Sequence, residues 1–313
     1  MDVDTFLITV YVLVDTFCQT HLPPEPHRPG PAPALSRSEV LTLAIFGQWM
    51  RFSSEQDFYR YAERHLRPYF PTLPHRSQYN RLLRRHQVAL AQFALYLADQ
   101  LGRGPVAVDV LDVAPAPVRN AKRRGRGWLA GEANIGFSLR LGWFAGFRVL
   151  TAVSLEGAIT GWGVAPASTN ERSLAETLIA CRAHPDPRLP SVGTPVATYL
   201  ADSGFAGEDY KAHLAATYGV TLVATPQRGS RRRWPKAVRR WVARHRQIVE
   251  TVVGRLLHTF GLARERPHTL AGFQARLAAK EALHNFCCWL NRQQGRPLLA
   301  VAEPDHPGSP RRP

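Results

Sequence analysis

Six apolar residues, Val249, Val252, Val253, Leu256, Leu257 and Phe260, recur at the spacing of a single buried helical face. A helix with so continuous a stripe needs a broad partner to pack on. One carboxylate, Glu250, falls at the edge of that stripe, and Arg246 stands one turn before it on the same edge. From there a carboxylate can look sideways into a cleft while its helix stays packed. The same spacing also suits a surface Arg246–Glu250 pair, worth about a few tenths of a kcal/mol. Before the stripe comes a dense basic run, Arg228, Arg231, Arg232, Arg233, Lys236, Arg239, Arg240 and Arg244.

That run belongs to a chain with formal net charge +16 over 313 residues. Such a balance favours a polyanionic partner, and nucleic acid before a membrane, because no basic amphipathic helix with a Trp-lined face stands out. Hydrophobic content of 45% and a charged fraction of 20% are those of a globular chain. Cys18, Cys181, Cys287 and Cys288 form no CxxC pair, which suits a reducing compartment and argues against structural zinc. His284, Cys287 and Cys288 share one side of a helix, but core packing beside Phe286 and Trp289 accounts for them. Phe6–Val14 is apolar yet lacks a basic flank and is too short to span a bilayer, so a cytoplasmic chain is expected.

Read in order, the chain changes period once. Helices are expected over Asp4–Gln19, over Arg37–Arg51 behind a capping box of Ser36 and Glu39, over Ser54–His65 and over Ser77–Leu101. Arg76, Arg81, Arg84 and Arg85 mark a basic side, which fits either a helix-turn-helix DNA reader or a plain bundle with a solvated face. After Gly102 the pattern becomes strand-like. Val106–Val113 is β-rich, with Val106, Val108, Val110 and Asp112 on one face and Asp109 on the other, and Pro115 and Pro117 are expected to stop it. A loop of Arg119, Lys122, Arg123, Arg124 and Arg126 follows among small residues, suited to phosphate contact or simply solvated. Further strands are expected at Phe144–Val153, Ala158–Val164, Val196–Ala201 and Val220–Ala224. Helices are expected at Glu171–Arg182, at Glu208–Tyr218 and, last, at Phe273–Leu290.

Alternating strands and helices after a meander suggest a mixed sheet covered on both faces. If Val106–Val113 and Val196–Ala201 are parallel neighbours, Asp112 and Asp202 emerge at one end of the sheet, where sites of such sheets lie. The next long helix can bring Glu250 over that end. Three hard oxygen ligands suit Mg²⁺ or Mn²⁺, and two such ions about 4 Å apart serve phosphodiester chemistry without a nucleophilic Ser or Cys.

The order Asp112 in VLD, Asp202 in ADSGF and Glu250 in RQIVETV resembles the DDE transposases of bacterial insertion sequences. The blocks GFRVLTAVSLEGAITGWGVAPAST and ALHNFCCWLNR add to the resemblance, which runs over nearly the whole chain. The family pattern Y-x2-R-x3-E-x6-K keeps Arg246 and Glu250, but Ala243 stands at the Tyr position and Leu257 at the Lys position. Val113 stands where many relatives carry a small hydroxyl residue.

The resemblance implies an α/β, ribonuclease-H-like mixed sheet with flanking helices, at residues 105–295. Before it would come a helical N-terminal domain at 1–101 and after it a disordered tail at 296–313. It implies a transposase that cleaves DNA and joins strands, with Asp112, Asp202 and Glu250 as catalytic residues and ligands of two Mg²⁺ or Mn²⁺ ions. Double-stranded DNA would be held by Arg119, Lys122, Arg123, Arg124, Arg126, Arg231, Arg232, Arg233, Lys236, Arg239, Arg240 and Arg246, in a homo-oligomer at the bacterial nucleoid. A DNA-binding protein of decayed catalysis, or a nuclease without strand transfer, are the alternatives.

Overall fold

A computed structural model describes residues 1–26, 29–52, 54–102, 107–119, 129, 131–186, 191–226 and 234–301. The chain opens with five helices: α1 (Val3–His21), α2 (Arg37–Trp49), α3 (Glu55–His65), α4 (Arg76–Arg85) and α5 (Gln87–Leu101). The capping box of Ser36 and Glu39 is present at the start of α2. The expected single helix Ser77–Leu101 is two, because the chain breaks at His86 between α4 and α5. α1 is longer than expected: 19 residues, apolar enough by length and composition to cross a membrane. Its Phe6, Val10 and Val14 are buried all the same, with Phe6 stacked on Trp49 at 3.9 Å.

The sheet is built from β1 (Val108–Arg119), β2 (Asn134–Ser138), β3 (Gly142–Ser154), β4 (Ile159–Pro166), β5 (Thr198–Ala201) and β6 (Thr221–Ala224). β3 runs antiparallel to β1, and β4 antiparallel to β3. On its other edge β1 has β5 parallel to it, and β6 lies parallel to β5. The order β4-β3-β1-β5-β6, three antiparallel strands and then two parallel ones, is the ribonuclease-H-like sheet. β2, which the sequence pattern does not announce, pairs with the first residues of β3 beyond the end of β4. Helix α6 (Glu171–Ala183) precedes β5, and α7 (Glu208–Tyr218) joins β5 to β6. After β6 come α8 (Lys236–Gly254), a π turn at Arg255–Thr259 and the long α9 (Leu270–Gln293).

Alternate residues of the strands feed two cores. Val108, Val110 and Ala114 of β1 and Leu200 of β5 join Val249, Val252 and Val253 of α8, α9 and the N-terminal helices in one hydrophobic cluster. Leu111, Tyr199 and Ala201 face the other way, against α6 and α7. The N-terminal helices therefore share a core with the sheet. Buried charges reinforce that joint. Lys280 of α9 contacts Glu265 at 2.8 Å, donates to the Phe260 carbonyl at 2.7 Å and reaches Gln48 of α2. Arg276 joins Glu265 at 3.3 Å to Glu55 of α3 at 3.5 Å. Burial pushes the Glu265 carboxyl up, but Lys280 and Arg276 outweigh it and hold the group below its ordinary value. Residues 296–301, expected in a disordered tail, pack on the body: Asn291 donates to the Leu298 carbonyl at 3.1 Å, and Leu298 and Leu299 cover Cys288. The rest of the expected tail lies outside the described residues.

Pro115 and Pro117 do not end β1, which runs on to Arg119 against β3. The two prolines share one phase of the strand, so their missing N–H groups fall on the same edge. That edge is the one β5 has left, since β1 and β5 pair only over Val108–Val110.

Asp109, on the α6 side, is wholly buried. Arg182 pairs with it at 2.7 Å, the Thr160 hydroxyl donates to it at 2.6 Å, and Arg182 also donates to the Tyr199 hydroxyl at 3.2 Å. Removing one partner of a buried pair typically costs about 3–5 kcal/mol. Arg182→Leu should lower the unfolding free energy by an amount in that range, read from equilibrium unfolding in urea; a loss under about 1 kcal/mol would mean the pair is dispensable.

Candidate active site

The site arises where β1 and β5 part. Val110 and Leu200 are the last paired residues, and Asp112 and Asp202 each stand two positions further on. By strand alternation both aspartates fall on the same face as Val110 and Leu200, at one end of the two strands. That face is the one α8 covers. Glu250 projects from α8, one residue beyond the buried Val249, at the helix edge the sequence indicated.

Each carboxylate has a fixed local partner. The backbone N–H of Val113 donates to Asp112 Oδ1 at 3.0 Å. Asp202 caps the short 3-10 turn Ser203–Phe205 by accepting from the Gly204 N–H at 2.9 Å. Glu250 lies 3.3 Å from the Arg246 guanidinium, with its side chain 57% exposed. Burial and the Asp202 carboxylate push the Asp112 carboxyl up to about 6; Glu250 adds to the rise, while the Val113 N–H and Arg246 oppose it. Asp202, Glu250 and Arg246 are thus each within electrostatic reach of Asp112. Among the described residues, however, no three His, Cys, Asp or Glu side chains are drawn together as a ready metal cage. Glu250 is turned to Arg246.

A second set of residues, without a signature in the sequence, holds the Asp202 turn. Arg172, just inside α6, donates to the Gly204 carbonyl at 3.1 Å and to the Ala206 carbonyl. Its neighbour Glu171 is held by Arg148 of β3. A Cβ on Gly204 would sit 3.0 Å from Asp202 Oδ1 and 3.3 Å from Glu171 Oε2, so the glycine leaves room for two carboxylates. In the sequence this stretch is marked only as the expected start of the helix at Glu171, which Asn170 caps.

A family model described as the transposase DDE domain matches residues 118–286, more than half of the chain. The chain belongs to the transposase DDE domain family. The matched stretch contains Asp202 and Glu250, and Asp112 lies just ahead of it on β1. No curated protein matches the chain. Among solved structures it is similar to the Mos1 transposase paired-end complex with left transposon end, at 10% identity and a TM-score of 0.22, over 85% of this chain and 98% of that one. So slight a likeness carries no weight here; the strand order is what establishes the fold.

Within this DDE transposase domain, the expected DNA-contacting residues are placed unevenly. Arg119 closes β1, and Lys236, Arg239 and Arg240 are exposed along the first half of α8. Lys122, Arg123, Arg124, Arg126, Arg231, Arg232 and Arg233 lie outside the described residues. Leu257, at the position of the family lysine, is buried at 3% exposure within the π turn. Its neighbour His258 faces solvent and meets Arg140 from the β2–β3 turn. The His284–Cys288 group is core: the His284 ring is buried, bonded to the Gly157 carbonyl at 2.9 Å and pushed down to about 3 by burial and Arg255.

The raised Asp112 value carries a sign for stability. A carboxyl whose native pKa exceeds its unfolded one favours folding fully below the unfolded value, and loses that advantage as pH rises through about 6. At pH 7.5 the ionised Asp112 therefore weakens the fold by about 2–3 kcal/mol. Asp112→Asn should raise the unfolding free energy at pH 7.5 in EDTA by about 1–3 kcal/mol, and much less at pH 4.5. An equal gain at both pH values would show that ionisation is not the cause.

Proposed function

We propose that this chain is a DDE transposase that cleaves DNA at the ends of an insertion sequence and transfers the strands to a target, with Asp112, Asp202 and Glu250 as its catalytic carboxylates. One observation supports the reading: in a chain of the transposase DDE family, Asp112 and Asp202 each follow the last β1–β5 pair by two residues, and Asp202 and Glu250 both act electrostatically on Asp112. The donor set fits a hard divalent cation, being three carboxylates of which Asp112 is pushed up first by burial and then by repulsion from Asp202 and Glu250. When bound, a pair of Mg²⁺ or Mn²⁺ ions would activate the attacking oxygen and stabilise the leaving oxygen of a phosphodiester.

The chain's own residues orient and shield. Val113 and Gly204 fix one oxygen each of Asp112 and Asp202 through backbone N–H groups. Val249, Val253 and Leu200 keep water from the floor beneath them. Arg246 steadies Glu250 and offers a cation to a phosphate on the exposed side. Arg119, Lys236, Arg239 and Arg240 neutralise phosphates along the approach, and the same role falls to the basic residues of 120–128 and 227–233. The partner is double-stranded DNA, and the acting form is a homo-oligomer on that DNA in the cytoplasm.

A binding-only reading has two observations in its favour. Glu250 is paired with Arg246, and Leu257 is buried where the family carries a lysine. One experiment separates the two. With an element-end duplex and Mg²⁺, the unaltered chain should nick and then join. Asp112→Asn, Asp202→Asn and Glu250→Gln should each reduce cleavage by at least about a hundredfold, because an amide is a poor ligand for a hard cation. Duplex affinity should hold or rise, since each change removes a charge that repels phosphate. Binding with no cleavage by the unaltered chain in either Mg²⁺ or Mn²⁺ would establish the binding-only reading; nicks without joined products would leave a nuclease.

A further inference from the structure

A groove of about 560 Å³ runs between α4 and the segment leading into α9, away from the carboxylates. Five guanidinium groups line it: Arg76, Arg81 and Arg84 from α4, Arg266, and Arg276 from α9. Its one carboxylate, Glu55, is already engaged by Arg276 at 3.5 Å and by the Asn80 amide. Among the described residues no carboxylate pairs with Arg76, Arg81 or Arg84. Arg266 donates to the backbone carbonyls of Pro117 and Glu265 at 3.2 and 2.7 Å. The helix α4 carries no acidic residue to offset this charge.

We propose that this groove binds the phosphodiester backbone of duplex DNA, as a second contact that sets where the duplex lies relative to the carboxylates. The inference rests on the reading of the chain as a DNA-acting transposase. Planar guanidinium forks match phosphate oxygens in pairs, and crowded like charges without partners are relieved by a polyanion. The Arg276 guanidinium and Arg84 Cδ both pass the first turn of α9, 3.7 and 4.0 Å from where a Cβ on Gly272 would lie.

Position selects the ligand. Arg266 ties the groove to Pro117 of β1, and Asp112 lies five residues back along that strand, about 17 Å away at 3.4 Å per residue. That is about half of the 34 Å helical repeat of DNA. A stiff duplex can touch both places at once. The proposed grip is on the phosphate backbone, which guanidinium forks match, and not on base edges.

The test measures anisotropy of a labelled 30-bp duplex with the full chain in EDTA, across a series of salt concentrations. The slope of log affinity against log salt should become shallower by about 2–3 in the triple variant Arg76→Ser, Arg81→Ser, Arg84→Ser, at about 0.9 per phosphate contact. Arg76 and Arg81 are exposed, so the double variant at these two should fold normally and lose about 2. Arg64→Ser with Arg67→Ser removes the same charge from outside the groove and should leave the slope unchanged. A slope unmoved in the double and triple variants overturns the groove, and so does an equal loss in the control pair. If the unaltered chain fails to bind the duplex at all, the groove and the transposase reading fall together. If it binds and cuts with its slope unmoved by the α4 changes, only the groove falls.

Discussion

The structure turns on the parting of β1 from β5. Over Val108–Val110, where the two strands pair, residues of both faces are packed into the two cores. After Val110 the partner stops while β1 continues along β3, leaving one edge open in the middle of a sheet. Open edges invite further strands. Here the two prolines withhold the N–H groups such a strand would need. The gap stays open, and the aspartates stand at its mouth. The sheet brings Asp112 and Asp202 to one end, and the turn Ser203–Phe205, held by Arg172, fixes Asp202 there.

The covering helix must then be held at a set height over that gap. α8 is anchored by Val249, Val252 and Val253, and the chain after it is pinned by Lys280 to Glu265 and Phe260. Those same charges reach Gln48 of α2 and Glu55 of α3 through Lys280 and Arg276. The N-terminal helices thus help fix the position of Glu250, although they lie far from it in sequence. A buried network of this kind contributes less to stability than to placement, because desolvation offsets most of its attraction.

Much of this is legible in sequence, and the failures have physical reasons. The apolar stripe of α8 stands out because a one-sided helix has few ways to be buried. Strand alternation alone assigns Asp112 and Asp109 to opposite faces, and Asp109 proves to belong to Arg182. The extent of β1 is not legible: proline stops a strand only where its N–H would be needed, which depends on a neighbour the sequence does not reveal. β2 escapes notice because Asn134–Ser138 is only five residues long, contains Gly136 and turns its alternating Ile135 and Phe137 out to solvent. Arg172 and Glu171 are invisible as site residues because their partners are distant carbonyls and Arg148.

Glu250 remains the least constrained of the three carboxylates, and magnitudes show which way it yields. Its tie to Arg246 is an exposed pair one turn apart on a helix, with side chains 27% and 57% exposed, of a class worth about 0.3–0.5 kcal/mol. Rotating it free costs little more than the side-chain entropy already lost in making it. Asp112 is different: its ionised form is opposed by burial and by two neighbouring carboxylates, at a cost several times larger. Under the proposed function, a cation at the gap would relieve that repulsion around Asp112, and a pair as weak as the one with Arg246 would not hold Glu250 back. Arg246 would then keep its charge without its partner, and a guanidinium so placed would suit a phosphate oxygen.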